Sequence, residues 1–454
     1  MRAMFWSEVK VVAVALVAAV TVLGGGVIRE LAAGEPADKA ERKGPLAALP
    51  SALGAHIEKI KALGDNQWLN LGAPAADPKW GRALGCAWGG KSMVLAPELR
   101  GAFRTGEGCH AYVKPDGFGQ DDYWFYDINA HRWICLYPGT DTKNFNRLVK
   151  EGALKVDDAG QVVDSSGQAI PGHLLIHAFG YIDYDTDAKK FVVLRDGGFG
   201  RYYMPGLSSH GGNAAVDEAI TLLEGQGLNK KGKNFAPWAY NTLTGRFQRD
   251  LATNAMPDVG GYFPLLLYIP SKKQFFAAGE RAIAFFHPAT RTWSQAAPNA
   301  AGFKGASLGC YDSKRDRVYV GHGDDLYCYD VKTSVMTKVN KSAEHSVTYD
   351  NNSSALVYDS TADKVLCLVF RKFDERASFN TAIVAPLDPE TNHWGAAIPF
   401  DPAFKARVAT IPGQTNAGFY DPELGVTFVY SAGDSRDDGV MWAYKLKSRA
   451  AAAK

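Results

Sequence analysis

Four motifs of this 454-residue sequence carry residue types that chemistry uses, and their spacing decides what each can do. Asp183, Asp185 and Asp187 form D-x-D-x-D, the opening of a calcium loop in which alternate side chains supply oxygen ligands. The pattern then breaks, because Ala188 stands where that loop needs Gly and Leu194 where it needs a bidentate Glu. The triplet also lies in a stretch that recurs along the chain, so a turn accounts for it better. GGKSMV (89–94) and GFGRYYMPG (198–206) are rich in glycine, but neither has the spacing or the following helix of a phosphate loop. GLSSHGG (206–212) sets Ser beside His without the G-x-S-x-G spacing of a nucleophile elbow. The six cysteines include no CxxC and no His/Cys spacing for zinc. No metal or cofactor is therefore expected. Cys86 and Cys109 remain candidates for a disulfide bridge.

A repeat supplies the frame for these residues. One phrase runs aromatic strand, polar turn, aromatic-led strand: YWFYDINAHRW (123–133), WAYNTLTGRF (238–247), AFFHPATRTW (284–293), YCYDVKTSVM (327–336) and VAPLDPETNHW (384–394). From the last residue before the turn, the second landmark always falls seven later, as in Tyr126 and Trp133 or Phe286 and Trp293. A second phrase precedes each copy: GYIDYDTDAKKFVVL (180–194), PLLLYIPSKKQFFAA (264–278), SLGCYDSKRDRVYVG (307–321) and SALVYDSTADKVLCL (354–368). AGFYDPELGVTFVY (417–430) opens a last unit, and ALGCAWGGKSMVLAP (83–97) is a weaker opening of the first. Each phrase reads as a β-hairpin, with β-branched and aromatic runs around Asp, Ser, Lys or Gly turns. Cys310 and Cys328 fall on the first and third strands of one unit, about 9.5 Å apart and too far to bridge.

Two hairpins per unit and six units predict an all-β fold, a six-bladed β-propeller of four-stranded antiparallel blades. The last unit ends after its third strand, at MWAY (441–444). Near the other end, NQWLNLGAP (66–74) reads as an orphan fourth strand, so the last blade is expected to be closed by this N-terminal strand. Closure of that kind leaves no open edge to invite aggregation. The aromatic, turn and Trp spacing resembles the kelch-repeat family of β-propellers, including the galactose-oxidase-like kelch domain. The paired glycines that end the second strand in that family are mostly absent, Gly197-Gly198 being the nearest. The copper site of the oxidase is not implied either, because no His follows a Tyr; only His110 and His177 are available to such a centre.

Propeller loops alternate between two faces. Turns joining strands 1–2 and 3–4 are short throughout, as in DTDAKK and HPATRT. The insertions, at 98–120, 139–173, 195–235, 371–380 and 400–414, all fall on the opposite rim. Long loops in compact domains are usually functional or disordered, so this rim is expected to bind a ligand. Arg82, His177 and Asn416 near the starts of first strands, Asn352 just upstream of one, and His210 in the largest insertion are the candidate ligand-binding residues. Their chemistry suits a sugar or a carboxylate. The helix expected in AAVDEAITLLEGQG is read as packing onto the ring.

Arg2 and Lys10 precede an uncharged, mostly apolar run from Val11 to Ile28. Residues 1–33 accordingly read as a signal peptide or a single membrane anchor, and the protein as extracytoplasmic. Residues 34–63 follow as a linker with a short helix, 64–448 as the propeller, and 449–454 as a tail. With 50 basic and 48 acidic side chains the net charge is +2, which argues against nucleic acid as a partner. The expected function is that of a monomeric binding module for a carbohydrate, peptide or protein. The competing expectation is a carbohydrate-active enzyme, an oxidase, lyase or hydrolase, working in the axial funnel.

Overall fold

The seven-residue spacing of the repeat is a single cross-strand pair. Tyr126 lies opposite Trp133, Tyr240 opposite Phe247, Phe286 opposite Trp293, Tyr329 opposite Met336, and Leu387 opposite Trp394. A turn of constant geometry fixes the offset. Asp127, Asn241, Asp330 and Asp388 each accept backbone N–H groups from within the turn, the side chain standing in for a backbone partner. The residue that closes each turn is left-handed: His131, Gly245, Arg291, Ser334 and Asn392.

In this computed structural model, the structure describes residues 42–84, 93–106, 114, 116–158, 160–171, 180, 182–196, 214–228, 235–249, 252–259, 265–279, 282–295, 308–341, 354–370, 382–410, 416–432 and 437–447. The repeat folds into six antiparallel blades. Their first strands are Met93–Ala96, Ile182–Asp185, Leu265–Ile269, Leu308–Asp312, Ser354–Asp359 and Asn416–Asp421. These six strands touch one another in cyclic order, the sixth returning to the first, and so surround the axis. In the sixth blade Val426–Ser431 and Val440–Lys445 follow, and the fourth place is taken by Gln67–Gly72. Trp68 lies opposite Tyr444, their rings 4.7 Å apart. The last landmark pair is thus made between the two ends of the chain, and the ring is closed as expected.

The blades pack face to face through aromatic and aliphatic side chains. Phe103 of the first blade stacks on Phe191 of the second at 4.6 Å and 7°; Phe276 of the third meets Tyr329 of the fourth at 5.3 Å. Gly309 marks a close approach between blades. A Cβ there would come within 2.3 Å of Leu265 Cδ2 on the neighbouring blade, so any larger residue would force that leucine to shift.

The first blade departs from the sequence reading. Its opening hairpin is Met93–Ala96 and Gly101–Thr105, not 83–97, and the stretch assigned to an insertion from 98 onward contains the second strand. Its turn, Pro97 to Arg100, has no Asp cap and is closed by Arg100 at φ 53, so the usual turn residues gave no signal. Tyr319 sits between Cys310 and Cys328 in register, and both cysteines are buried and outside any disulfide. Cys86 and Cys109 lie outside the described residues.

Residues 42–63 form a strap along the turns of two blades. Lys43 N–H donates to the Leu243 carbonyl, Ser51 Oγ to Asp127 Oδ2 at 2.5 Å, and Asn129 Nδ2 to the Ser51 carbonyl. Helix α1 (His56–Lys61) buries Ile57 and Ile60. Its His56 ring lies 5.2 Å from that of His131, and His131 Nδ1 pairs with the Tyr126 hydroxyl at 2.8 Å. Burial and the neighbouring His56 lower the His131 pKa to about 4. The folded chain then takes up this proton only below about pH 4, whereas an unfolded His takes it up below about 6.5. Stability is therefore full above pH 6.5 and falls as the pH drops towards 4. We expect a loss on the order of 2 kcal/mol across that window after discounting for partial exposure. His131→Asn, which tolerates the left-handed backbone, should flatten the dependence in urea titrations.

Candidate functional site

The turns that join first and second strands form a belt on one face. Each last-but-one residue of a first strand is a tyrosine in blades two to six: Tyr184, Tyr268, Tyr311, Tyr358 and Tyr420. Their hydroxyls reach the turns: Tyr184 donates to Glu98, Tyr268 to Asp187 (2.5 Å), Tyr311 to Asp316 (2.7 Å), Tyr358 to Asp363 (2.9 Å) and Tyr420 to Thr361 (2.7 Å). Three of these bonds already join one blade to the preceding blade. Between the third and fourth blades Ser271 donates to Asp316, and between the fourth and fifth Arg315 forks onto Asp363 at 2.7 and 2.9 Å. The Arg315 pair holds the Asp363 carboxyl far below the usual range. Between the sixth and first, Arg100 forks onto Asp421 at 2.9 and 2.8 Å, both side chains buried. Burial opposes the Arg100 charge, but Asp421 outweighs it and the pKa lies above the ordinary value.

The D-x-D-x-D triplet is absorbed by this belt. Asp183 accepts the backbone N–H of Tyr184 and of Tyr268, Asp185 caps its turn through Asp187 and Ala188, and Asp187 accepts the Tyr268 hydroxyl. Among the described residues, no three His, Cys, Asp or Glu side chains converge as a metal ion requires. Inside the belt lies a cavity of about 340 Å³ on the axis, walled by residues of all six first strands and by turn residues Thr186, Pro270 and Ser313. It opens on the short-turn face.

The opposite face carries the insertions. Helix α2 (Phe145–Lys150), the hairpin Leu154–Val156 with Val162–Asp164, and helix α3 (Ala214–Gly225) come from two separate insertions. They share one small core of Phe145, Val149, Leu154, Val162, Val216 and Leu223. The α3 helix thus buries its apolar side against another insertion rather than on the ring. Helix α4 (Pro402–Thr410) sends Phe404 onto Trp68 at 4.3 Å.

Two predicted site residues lie on this face and do not meet. Arg82 Nε donates to the Pro74 carbonyl at 2.6 Å, and Nη1 pairs with exposed Asp437 at 3.3 Å. Asn416 begins the innermost strand of the sixth blade, is 2% exposed, and has neither amide atom hydrogen-bonded. Ser431, directly opposite it, also has a buried hydroxyl without a partner. Arg407 of α4 donates to the Ser431 carbonyl at 3.1 Å and to that of Asp438. His177, His210 and Asn352 lie outside the described residues, as does His110. The sequence reading missed Ser431 and Arg407; the two-residue period of the strand pair would have found the first, and nothing in the pattern pointed to the second. Lys114 and Asp122 form a buried ion pair at 3.0 Å that also engages the Trp124 indole and the Pro138 carbonyl.

No known family profile matches this sequence, and no curated protein matches it. Among solved structures, a chain of the one titled "Crystal Structure of Mitotic Checkpoint Complex" aligns at 8% identity, covering 84% of this chain and 92% of that chain, with a TM-score of 0.41. Likeness at that level carries nothing about ligand or partner.

Proposed function

We propose that this protein is an extracytoplasmic binding module, kelch-like in its blade phrase, that recognises a carbohydrate, peptide or protein on the loop-rich face. The observation that carries the reading is Asn416. A buried amide with both polar atoms unpartnered costs about 1–3 kcal/mol, and such groups call for an explanation. A ligand group that donates and accepts hydrogen bonds provides one, with the Ser431 hydroxyl opposite and Arg407 at the same end of the strand. The asymmetry of the faces supports the same side, since the insertions, with a core of their own, and helix α4 gather there. Export rests on the apolar run after Lys10. No helix of the described residues is long and apolar enough to cross a membrane, and the N-terminal run lies outside them.

Glycan and peptide arrays probed with wild type, Asn416→Leu, Arg82→Ala and the opposite-face control Lys332→Ala test the proposal. Asn416→Leu should gain about 1 kcal/mol in stability by removing the unpaired amide while weakening array binding at least tenfold. Arg82→Ala should weaken it severalfold, and Lys332→Ala should leave it unchanged. Undiminished binding by Asn416→Leu would sink the assignment.

A further inference from the structure

Asn416 and Ser431 are 2% and 0% exposed, too deep for a ligand to reach in this conformation. Strand alternation fixes the side of the sixth blade on which they lie. Asn416, Gly418 and Tyr420 share one face with their cross-strand partners Ser431, Val429 and Thr427. That face looks towards the fifth blade. Val429 packs in one cluster with Ala355, Val357 and Leu368, and a Cβ on Gly418 would come within 3.2 Å of Ala355 Cβ. The alternate residues, Ala417, Phe419 and Tyr430, pack against the first blade instead. Asn416 and Ser431 thus occupy the loop-rich end of the seam between the fifth and sixth blades.

Helix α4 closes that end. The chain enters it from the fifth blade, where the Phe400 N–H donates to the Ala382 carbonyl at 3.0 Å and Asp401 caps the first turn through the Ala403 N–H. Phe404 and Val408 are buried in the seam cluster. The Phe404 ring lies 5.0 Å from that of Trp442, which is opposite Val429 and so belongs to the same face. Arg407 fastens the helix to the sixth blade, donating to the carbonyls of Ser431 and Asp438. The helix is therefore rooted in one blade and latched to the next, at the point where the amide and the hydroxyl lie unpaired. Apolar contacts and Arg407 favour closure, while the unpaired amide opposes it, because opening returns both its polar atoms to water. A ligand that pairs the amide shifts that balance by its preference for one state. Resting on the recognition proposed above, we infer that α4 is a lid. Ligands reach Asn416 and Ser431 when it leaves the sixth blade, and Arg407 is the latch that sets how often it opens.

Thiol labelling of the full chain tests the lid without any ligand. Ser431→Cys changes one atom, and iodoacetamide followed by peptide mass spectrometry reads its reaction rate. The introduced thiol should react slowly, and at least tenfold faster once Arg407→Ala is added. Cys367, 0% exposed in the fifth blade, should label at one low rate in both proteins, which marks the opening as local. An introduced thiol whose rate is unchanged by Arg407→Ala, or rises only in step with Cys367, overturns the proposal. Should Ser431→Cys fail to fold, amide exchange of wild type against Arg407→Ala decides it. Exchange should quicken in 403–409 with 364–369 unchanged; identical exchange in 403–409, or equal quickening of 364–369, overturns the lid. The arrays judge recognition itself, so the lid and the binding site can fail separately.

Discussion

Asp421→Ala lowers the unfolding free energy by about 3–5 kcal/mol, the usual cost of stripping one partner from a buried ion pair. The substitution leaves the Arg100 guanidinium facing a fully buried position without its buried carboxylate partner. It also removes the cap on the sixth blade's first turn, where Asp421 Oδ1 accepts the Glu423 N–H at 3.0 Å. The outer contact of Arg100 with Glu423, at 3.2 Å to a carboxylate 65% exposed, is too well solvated to compensate. The loss falls at the seam between the last and first blades, where the chain's beginning and end must meet. Urea unfolding measures the effect. The double variant Arg100→Gly, Asp421→Asn should recover at least half of it, because no charge is left unpaired, the cap survives, and glycine suits the backbone at φ 53. A double variant no better than Asp421→Ala would show that the ion pair is not what holds this seam.

Trp68→Ala costs about 3 kcal/mol, and removal of the whole segment before Ala73 costs more. Trp68 stacks on Phe404 and meets Phe400 and Tyr444 at 5.0 and 4.7 Å, so its truncation leaves a void among aromatic rings, for which losses of about 3–5 kcal/mol are usual when burial is complete. Trp68 is half-buried, which sets the value at the lower end. Deletion of the segment strips the Val440–Lys445 strand of its ladder partner from Gln67 to Gly72 and uncovers the same aromatic cluster. An unpaired, partly apolar edge is a template for association. The truncated chain should elute as oligomers in size-exclusion chromatography, and a synthetic peptide spanning 64–74 should return it towards monomer. A truncated chain that stays monomeric with unchanged urea stability would contradict closure by this strand.

The repeat was legible because two rules fix it: side chains alternate along a strand, and a turn of one geometry joins each strand pair. Together they convert Tyr126–Trp133 and its copies into an offset of seven that survives changes of residue type, Met336 included. The closing strand was legible for the same reason, since Trp68 repeats the landmark. The first blade's hairpin was not, because Pro97 to Arg100 turns the chain without Asp, and its left-handed residue is an arginine. Ties between blades are opaque to sequence in another way. Tyr184 and Glu98 are 86 residues apart and Arg100 and Asp421 are 321 apart, so only the closed ring brings them together. The cavity was hidden by its own regularity: its tyrosines are the hairpin landmarks, and Asp183 belongs to a triplet that reads as a turn. Asn416 was marked by its place at the start of a strand, but that its amide would be buried and unpaired is a property of packing.

Amide hydrogen exchange with and without the ligand found on the arrays tests the central claim, recognition on the loop-rich face, most directly. Exchange should slow in 402–410, 416–418 and 429–432, with the belt turns 185–190, 312–317, 359–364 and 421–426 unchanged. Protection confined to the belt turns, with the loop-rich segments unaltered, would contradict it.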